Sequence, residues 1–523
     1  MRLPGFARDD GFLCHTRLPY RQRAAMTVDP AVRRRRGLIT ITVMMATIMH
    51  ALDGTIANVA LPSIQGSLSA TQEQVSWVIT SYIVASAILT PFAGFCATRF
   101  GLRRTLSTCV VGFTIVSMLC GAAQTLDQLV LFRAMQGAFG AALVPVSQAI
   151  MMDTYPREEQ GKAMAMWGVG TMIGPIVGPS LGGWLTDEFT WRWVFYVNLP
   201  VGLLCTFGIL LLVRDTAHDR RRPFDMLGFA FLAIAIGSFQ LMLDRGQQLD
   251  WFDSLEIIVE TLVAAVAFAM FLIHMLTDHH PFLSRDLFSD RNLTVGLLLT
   301  GITGLVLIVT ATLMPPFLQQ LKGYPVFTTG VVLAPRGAGM MVSMMLVLRM
   351  IGRIDARLLI ALGFGMCALS LWELTTFTLE VSENQIIWNG VLLGFALGLV
   401  FPPLTTLTFA TLPPRLRTEG AAINALMRNL GASIGIALLV SLLARNTQEN
   451  RSELVGQLTP YSAGWPFGRV MPGPDSQMLA VWDAEINRQA AMIGYLNDFR
   501  AMTICSLLVI PLLLLMRKQM LAR

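Results

Sequence analysis

Fourteen stretches of about twenty mostly apolar residues run through this chain, and about twenty is the number a helix needs to cross the hydrocarbon core of a bilayer. They lie near 38–60, 75–97, 105–124, 128–151, 162–185, 193–213, 224–243, 254–276, 292–314, 327–349, 358–379, 386–411, 419–444 and 497–516. Lipid offers no partner to an open backbone group, so each stretch must be helical. Composition agrees. Charged residues make up 14% of the 523, against roughly 25% in soluble domains. The chain therefore reads as an all-α polytopic membrane protein.

The basic residues give an orientation. Loops read as cytoplasmic hold Arg33 to Arg36, Arg99, Arg103, Arg104, Arg157, Lys162, Arg214, Arg220 to Arg222, Arg285, Arg291, Arg353, Arg357, Arg415, Arg417, Arg517 and Lys518. The short loops on the other side hold only Arg192, Arg245 and Lys322. This asymmetry places both termini in the cytoplasm, and it makes the net charge of +6 a mark of membrane orientation rather than of nucleic-acid binding. Residues 1–37 are polar and basic with no apolar core, so no cleavable signal is expected. Because Met26 opens an ordinary short leader, residues 1–25 are expected to be a start-site artefact or a disordered extension. The seven cysteines form no CxxC pair and read as small apolar filler, not as metal ligands.

The loop Gly94 to Arg104 after the second span has a degraded echo, Gly352 to Arg357, after the tenth. The echo divides the chain into a cytoplasmic segment 1–37, a six-helix bundle 38–213 and an inserted helix pair with its loops, 214–291. A second six-helix bundle, 292–516, and a tail, 517–523, follow. Repeat-built transporters bind substrate near the midplane where the halves meet. The second bundle includes a long polar outside loop, 445–496, in which Ser476 to Tyr495 shows helical spacing of apolar residues. That loop is either a cap over the mouth or a docking surface for a periplasmic partner.

Charges inside a span are costly, so they are functional candidates by default. Those found are Asp53, Arg133, Glu260, Arg336, Glu373 and Arg428. Asp53 lies past the middle of span 1, with His50 one turn earlier on nearly the same face. A carboxyl withdrawn from water can load a proton on one side and release it on the other, or it can simply pair with an arginine. Arg133, beside Gln136, cannot carry a proton but can bias a nearby carboxyl. Arg428, next to Asn429, and Arg336 are candidates for the matching part in the second bundle. Glu373, near a helix end, is weaker, as is Glu260 in the inserted pair. Span 5 carries glycines at 170, 174, 178 and 182, giving one smooth face for close helix packing, and Pro175 and Pro179 that should bend it.

Several segments together resemble the major facilitator superfamily, specifically the fourteen-helix drug:proton antiporters of the EmrB/QacA type. Leu52 to Pro62 resembles the first-helix motif of that branch, and Gly94 to Arg104 resembles the loop signature of the superfamily. Leu131 to Gly137 resembles the fourth-helix motif linked to proton coupling. The Gly-Pro run of span 5 resembles the antiporter motif. Trp191 to Trp193, Asn198 to Pro200, Gln319 with Gly323, Pro335 to Gly337 and Met427 to Gly431 fit the same branch. The resemblance covers the chain after residue 37.

The resemblance implies the major facilitator fold and proton-coupled efflux of hydrophobic or amphiphilic compounds across the bacterial inner membrane by alternating access. It assigns Asp53, Arg133, Arg428 and Arg336 to proton coupling or substrate. Gly94, Arg99, Gly101, Arg103, Gly170, Gly174, Pro175, Gly178 and Pro179 fall to gating and packing. His50, Asn58, Gln136, Gln319 and Asn429 are cavity candidates. It also implies a periplasmic adaptor and an outer-membrane channel as partners, with no cofactor or metal. Thr98 departs from the loop signature, which usually has an acidic residue there. The alternatives are a proton-coupled transporter of one metabolite, or a membrane sensor or scaffold. No phosphate loop, metal-spaced histidine set or nucleophile elbow suggests an enzyme.

Overall fold

The computed structural model describes residues 30–214, 224–278, 281–350, 353–413, 416–457 and 477–516, and the segment 1–25 lies outside them. Among the described residues there is no strand. Fourteen long helical elements follow one another. They are α1 Pro30–Ser67, α2 Gln72–Phe100, α3 Leu102–Ala122, α4 Leu126–Thr154, α5 Arg157–Glu188, α6 Trp193–Leu212 and α7 Met226–Arg245. Then come α8 Leu255–Thr277, α9 Arg291–Leu321, α10 Thr328–Met350, α11 Ala356–Leu374, α12 Glu383–Phe409, α13 Arg417–Gln457 and α14 Ala480–Leu515. Thirteen are long and apolar enough to cross a membrane. The remaining one, α5, is diluted by glycine and proline, but its 32 residues span about 48 Å at 1.5 Å per residue.

Local chemistry sets where the helices start and break. Thr71 with Gln74, and Ser382 with Gln385, form capping boxes at α2 and α12. Thr125, Asp225 and Asp290 cap α4, α7 and α9. α2 and α3 are joined by Gly101 alone, at φ 90°, a backbone that favours glycine. α9 ends in a π turn, Phe317–Leu321, directly after Pro315 and Pro316, which supply no backbone donors.

Two six-helix bundles with matching internal contacts result. In the first, α1 packs on α5, α2 on α4, and α3 on α4 and α6. In the second, α9 packs on α13, α10 on α12, and α11 on α12 and α14. α7 and α8 pack on each other, and α7 lies along the seam between α2 and α13. There Gln240 Nε2 donates to Ser433 Oγ at 2.9 Å, and Thr80 donates to Asp244. α8 turns Leu255, Val259, Leu262, Val266 and Ile273 outwards, as a lipid-facing helix should.

The span boundaries need one correction. α13 runs on past 445 to Gln457, and a helix from Gln477, as the apolar spacing of Ser476 to Tyr495 suggests, continues without a break into α14. The two extensions are tied by Arg451 Nη2 to Asp483 Oδ1 at 2.8 Å. Hydropathy marks where a helix leaves lipid, whereas the helix itself continues as long as its backbone and side-chain contacts hold. Residues 458–476 lie outside the described set.

Candidate functional site

α1, α2, α4 and α6 converge on Asp53, which is 2% exposed. Arg133 Nη1 donates to its Oδ2 at 2.6 Å, and both side chains are sealed from solvent. The other oxygen, Oδ1, accepts from Gln136 Nε2 at 2.8 Å and Asn198 Nδ2 at 3.0 Å. Arg133 is held in turn: Nε donates to the Val78 carbonyl at 3.1 Å, and Nη1 also donates to Gln136 Oε1 at 2.8 Å. Asn198 is steadied by Ser117 Oγ at 3.0 Å, and that hydroxyl donates to the Phe195 carbonyl. The carboxylate thus has three donors, one of them a guanidinium, in a dry site. This is the arrangement that offsets the desolvation of a buried ion pair.

Close backbone approach builds the cage. A Cβ on Gly137 would lie 2.3 Å from the Tyr82 carbonyl oxygen, so only glycine lets α4 come this near α2. That approach brings the Tyr82 ring under Arg133, 4.2 Å from the guanidinium carbon. The Tyr82 hydroxyl lies 2.8 Å from His50 Nδ1. A chain of contacts therefore runs from half-buried His50 through Tyr82 to Arg133 and Asp53.

The smooth face of α5 meets the same helix that carries Asp53. Cβ atoms at Gly170, Gly174, Gly178 and Gly182 would strike or crowd Met44, Ala51 with Leu52, Thr55 and Ile56 respectively. Thr55 Oγ1 donates to the Gly174 carbonyl at 3.3 Å. The backbone of α5 is helical throughout, and the side chains of Pro175 and Pro179 lie outside the described set.

The two bundles also touch near the face where α1 starts. Gly94 sits on α13, where its Cβ would be 3.1 Å from that of Ala422 and 3.4 Å from the Glu419 Cα. Trp167 of α5 stacks on Phe401 of α12 with centroids 6.1 Å apart, and Gly168 abuts Met344 of α10. In the loop signature, the Thr98 hydroxyl donates to the Gly94 carbonyl within its own helix. Arg99 lies over Phe95 and Phe100, and Arg103 donates to the Leu210 carbonyl.

The remaining candidates fall in other places. Arg336 donates through Nη2 to the Leu307 carbonyl at 3.0 Å and to Thr310 Oγ1 at 2.7 Å, and it makes no ion pair among the described residues. Arg428 is half-buried on α13 and has no hydrogen-bond or ion-pair partner among the described residues. Neither reaches Asp53. Gln136 is fully buried in the Asp53 cage, so it does not line a cavity. Asn58 is exposed, and Gln319 and Asn429 are half-buried. Glu373 accepts from Asn389 Nδ2 at 2.8 Å, and Glu260 keeps one buried oxygen without a partner.

Two working parts of the cage, Asn198 and Tyr82, are uncharged and carry no signal as site residues in an apolar span. A third residue outside the expected set is Asp498 of α14, 1% exposed with neither oxygen bonded. A last span beginning at 497 puts it at the edge, where a charge is unremarkable.

Comparison with known proteins agrees with this architecture. Over 428 residues the chain is 35% identical to the multidrug export protein EmrB of Escherichia coli (strain K12), covering 81% of this chain and 83% of that one. Over 480 residues it is 34% identical to the fatty acid resistance protein FarB of Neisseria gonorrhoeae, covering 91% and 94%. In fold it is similar to the human organic anion transporter MFSD10, with TM-score 0.62 at 12% identity over 91% of this chain and 99% of that one. It is also similar to the proton:xylose symporter XylE, with TM-score 0.57 at 14% identity over 89% and 95%. Residues 43–436 match the Major Facilitator Superfamily, and this chain belongs to it.

Proposed function

We propose that the chain is a proton-driven exporter of hydrophobic and amphiphilic compounds, multi-pass in a bacterial inner membrane, working by alternating access. The observation that carries this reading is the sealed Asp53–Arg133 pair in the membrane interior. Protonating Asp53 removes the negative charge that three donors hold, so it frees Arg133 and loosens the α1–α4–α6 contact. That gives one proton-dependent change at the centre of the first bundle. The printed names of EmrB and FarB, an export protein and a resistance protein, support outward transport of toxic compounds.

The bundles 38–213 and 292–516 act as the rocking halves, with the inserted pair 214–291 riding on their seam. Arginine placement supports an orientation with both termini in the cytoplasm. The face closed by Gly94 against α13 and by Trp167 against Phe401 is then the cytoplasmic one, and this conformation is closed inward. Gly94, Arg99, Gly101 and Arg103 serve that closure, while the glycine face of α5 is the surface on which α1 slides. The helical extensions 445–457 and 477–496 are where a periplasmic adaptor, leading to an outer-membrane channel, would dock.

The test is drug-dependent proton release from proteoliposomes holding wild type or Asp53→Asn. The substituted protein should still fold and bind compound but release no protons and export nothing against a gradient. Unchanged coupling in Asp53→Asn sinks the proposal.

A further inference from the structure

The ion pair of the first bundle leaves one buried carboxyl of the second without a role. Asp498 of α14 is 1% exposed, and neither of its oxygens has a hydrogen-bond partner among the described residues. In this it is the opposite of Asp53, whose two oxygens take three donors. Sealing a polar group without a partner is costly, and sealing an ionised one is far costlier, so a carboxyl in such a place is tolerated only while it carries a proton. The helices packed on α14 are α13, α11 and α9 with its π turn. Their ionic groups at this end are committed elsewhere or face solvent. Lys322 donates to the Leu379 and Val381 carbonyls, and Glu373 accepts from Asn389. On α13, Arg445 pairs with Glu449, Arg451 pairs with Asp483 of α14 itself, and Glu453 is exposed. Gly494 of α14 lies against Leu443 of α13, which leaves Arg428 about three turns along α13 from the level of Asp498. Of the ionic groups flanking it on α14, Arg488 reaches the Leu321 carbonyl and Arg500 is exposed.

The joint beside Asp498 is what can uncover it. Tyr495, Asp498 and Met502 are all buried and recur at helical spacing, so they share one face of α14. The Tyr495 ring meets Phe317, the first residue of the π turn that ends α9, with centroids 5.4 Å apart. Arg488 Nε donates to the carbonyl of Leu321, the last residue of that turn, at 2.8 Å. The turn follows Pro315 and Pro316, which leave two helix carbonyls of α9 without their backbone donors. α14 therefore rests on a helix end whose regular winding is already broken, and π turns of this kind recur at functional sites.

We infer that Asp498 is a proton-binding site of the second bundle, which keeps its proton while α14 rests on the π turn of α9 and exchanges it with water when that joint parts. On release the O–H bond breaks, the proton passes to water and the carboxylate is solvated; resealing the joint requires the proton back. The purpose of the site rests on the export reading: it gives the second bundle a proton of its own, separate from the Asp53–Arg133 pair of the first.

The test uses the full-length protein in lipid nanodiscs, with infrared difference spectroscopy reading a protonated carboxyl through its carbonyl band. Near neutral pH, wild type minus Asp498→Asn should show that band. Transfer to heavy water should shift it slowly, because the proton is sealed. Arg488→Ala removes one tie to the π turn and should speed the shift about tenfold, as the loss of a hydrogen bond from a charged donor would. Asn is the uncharged mimic of the acid, so Asp498→Asn should fold. Asp498→Glu, which keeps the acid but moves its band, identifies the group without relying on the Asn variant. In proteoliposomes, Asp498→Asn should release fewer protons per exported compound than wild type. A carboxylate signal in place of the acid band, or exchange that Arg488→Ala leaves unchanged, overturns the inference. Unchanged coupling in Asp53→Asn would sink the export reading alone, since neither the band nor its exchange needs a gradient or a compound.

Discussion

At the scale of residues, the Asp53 cage is a set of dependencies rather than a sum of bonds. Removing one member of a buried ion pair costs about 3–5 kcal/mol, because the other charge is left uncompensated. Arg133→Gln should therefore lower stability by about that amount, while Arg133→Gln combined with Asp53→Asn should recover most of it, since no charge remains. Denaturant unfolding in detergent reads both, and a double variant no more stable than the single one would show that Arg133 acts through packing on Tyr82 instead. Charge makes Asp53 and Arg133 legible in the sequence, because a charge in an apolar span is too costly to be kept without a role. Gln136 is misplaced as a cavity residue on sequence alone, because an uncharged amide gives no hint of which neighbour it meets. Asn198 and Tyr82 join the site only through the helix crossings that bring α6 and α2 to α1.

At the scale of elements, the glycine spacing of α5 is legible because helix geometry alone puts every fourth residue on one face. The partner helix is not, since any neighbour can accept a smooth face. The contacts single out α1 and make the positions unequal. A Cβ on Gly174 would lie 2.7 Å from both the Ala51 Cβ and the Leu52 nitrogen, whereas one on Gly183 meets nothing within 4 Å. Gly174→Ala should push α5 off α1, at the cost of about 1–3 kcal/mol typical of overpacking, and lower transport. Gly183→Ala should leave transport intact and raise stability by up to about 1 kcal/mol, through the lower entropy cost of alanine in a helix. Thermal unfolding and transport of the pair decide it, and equal behaviour would mean that the α1–α5 crossing is not close-packed. The long helices α13 and α14 mark the limit of the same reading: hydropathy falls off at the water boundary, and their extensions are held by contacts such as Arg451 to Asp483.

At the scale of the whole molecule, the fold divides along one seam, which α2 crosses to α13 and α5 to α10 and α12. Within each half, matching helices make matching contacts, so the halves are built alike, and transport requires the seam between them to open. Gly94 of α2 meets Ala422 of α13 across it, with 3.1 Å between their Cβ positions. A disulfide needs Cβ atoms about 3.5–4.5 Å apart, so Gly94→Cys with Ala422→Cys should cross-link on oxidation after a few tenths of an ångström of relaxation. The background must lack the free cysteines, of which Cys96 lies on the same helix two residues beyond Gly94. Oxidised, the pair should stop export while leaving the outer side open to compound, and reduction should restore transport. Each single substitution must transport when reduced, which guards against a packing defect at Gly94. Full transport by the cross-linked protein would mean that this face never opens and that the two halves do not rock about the seam.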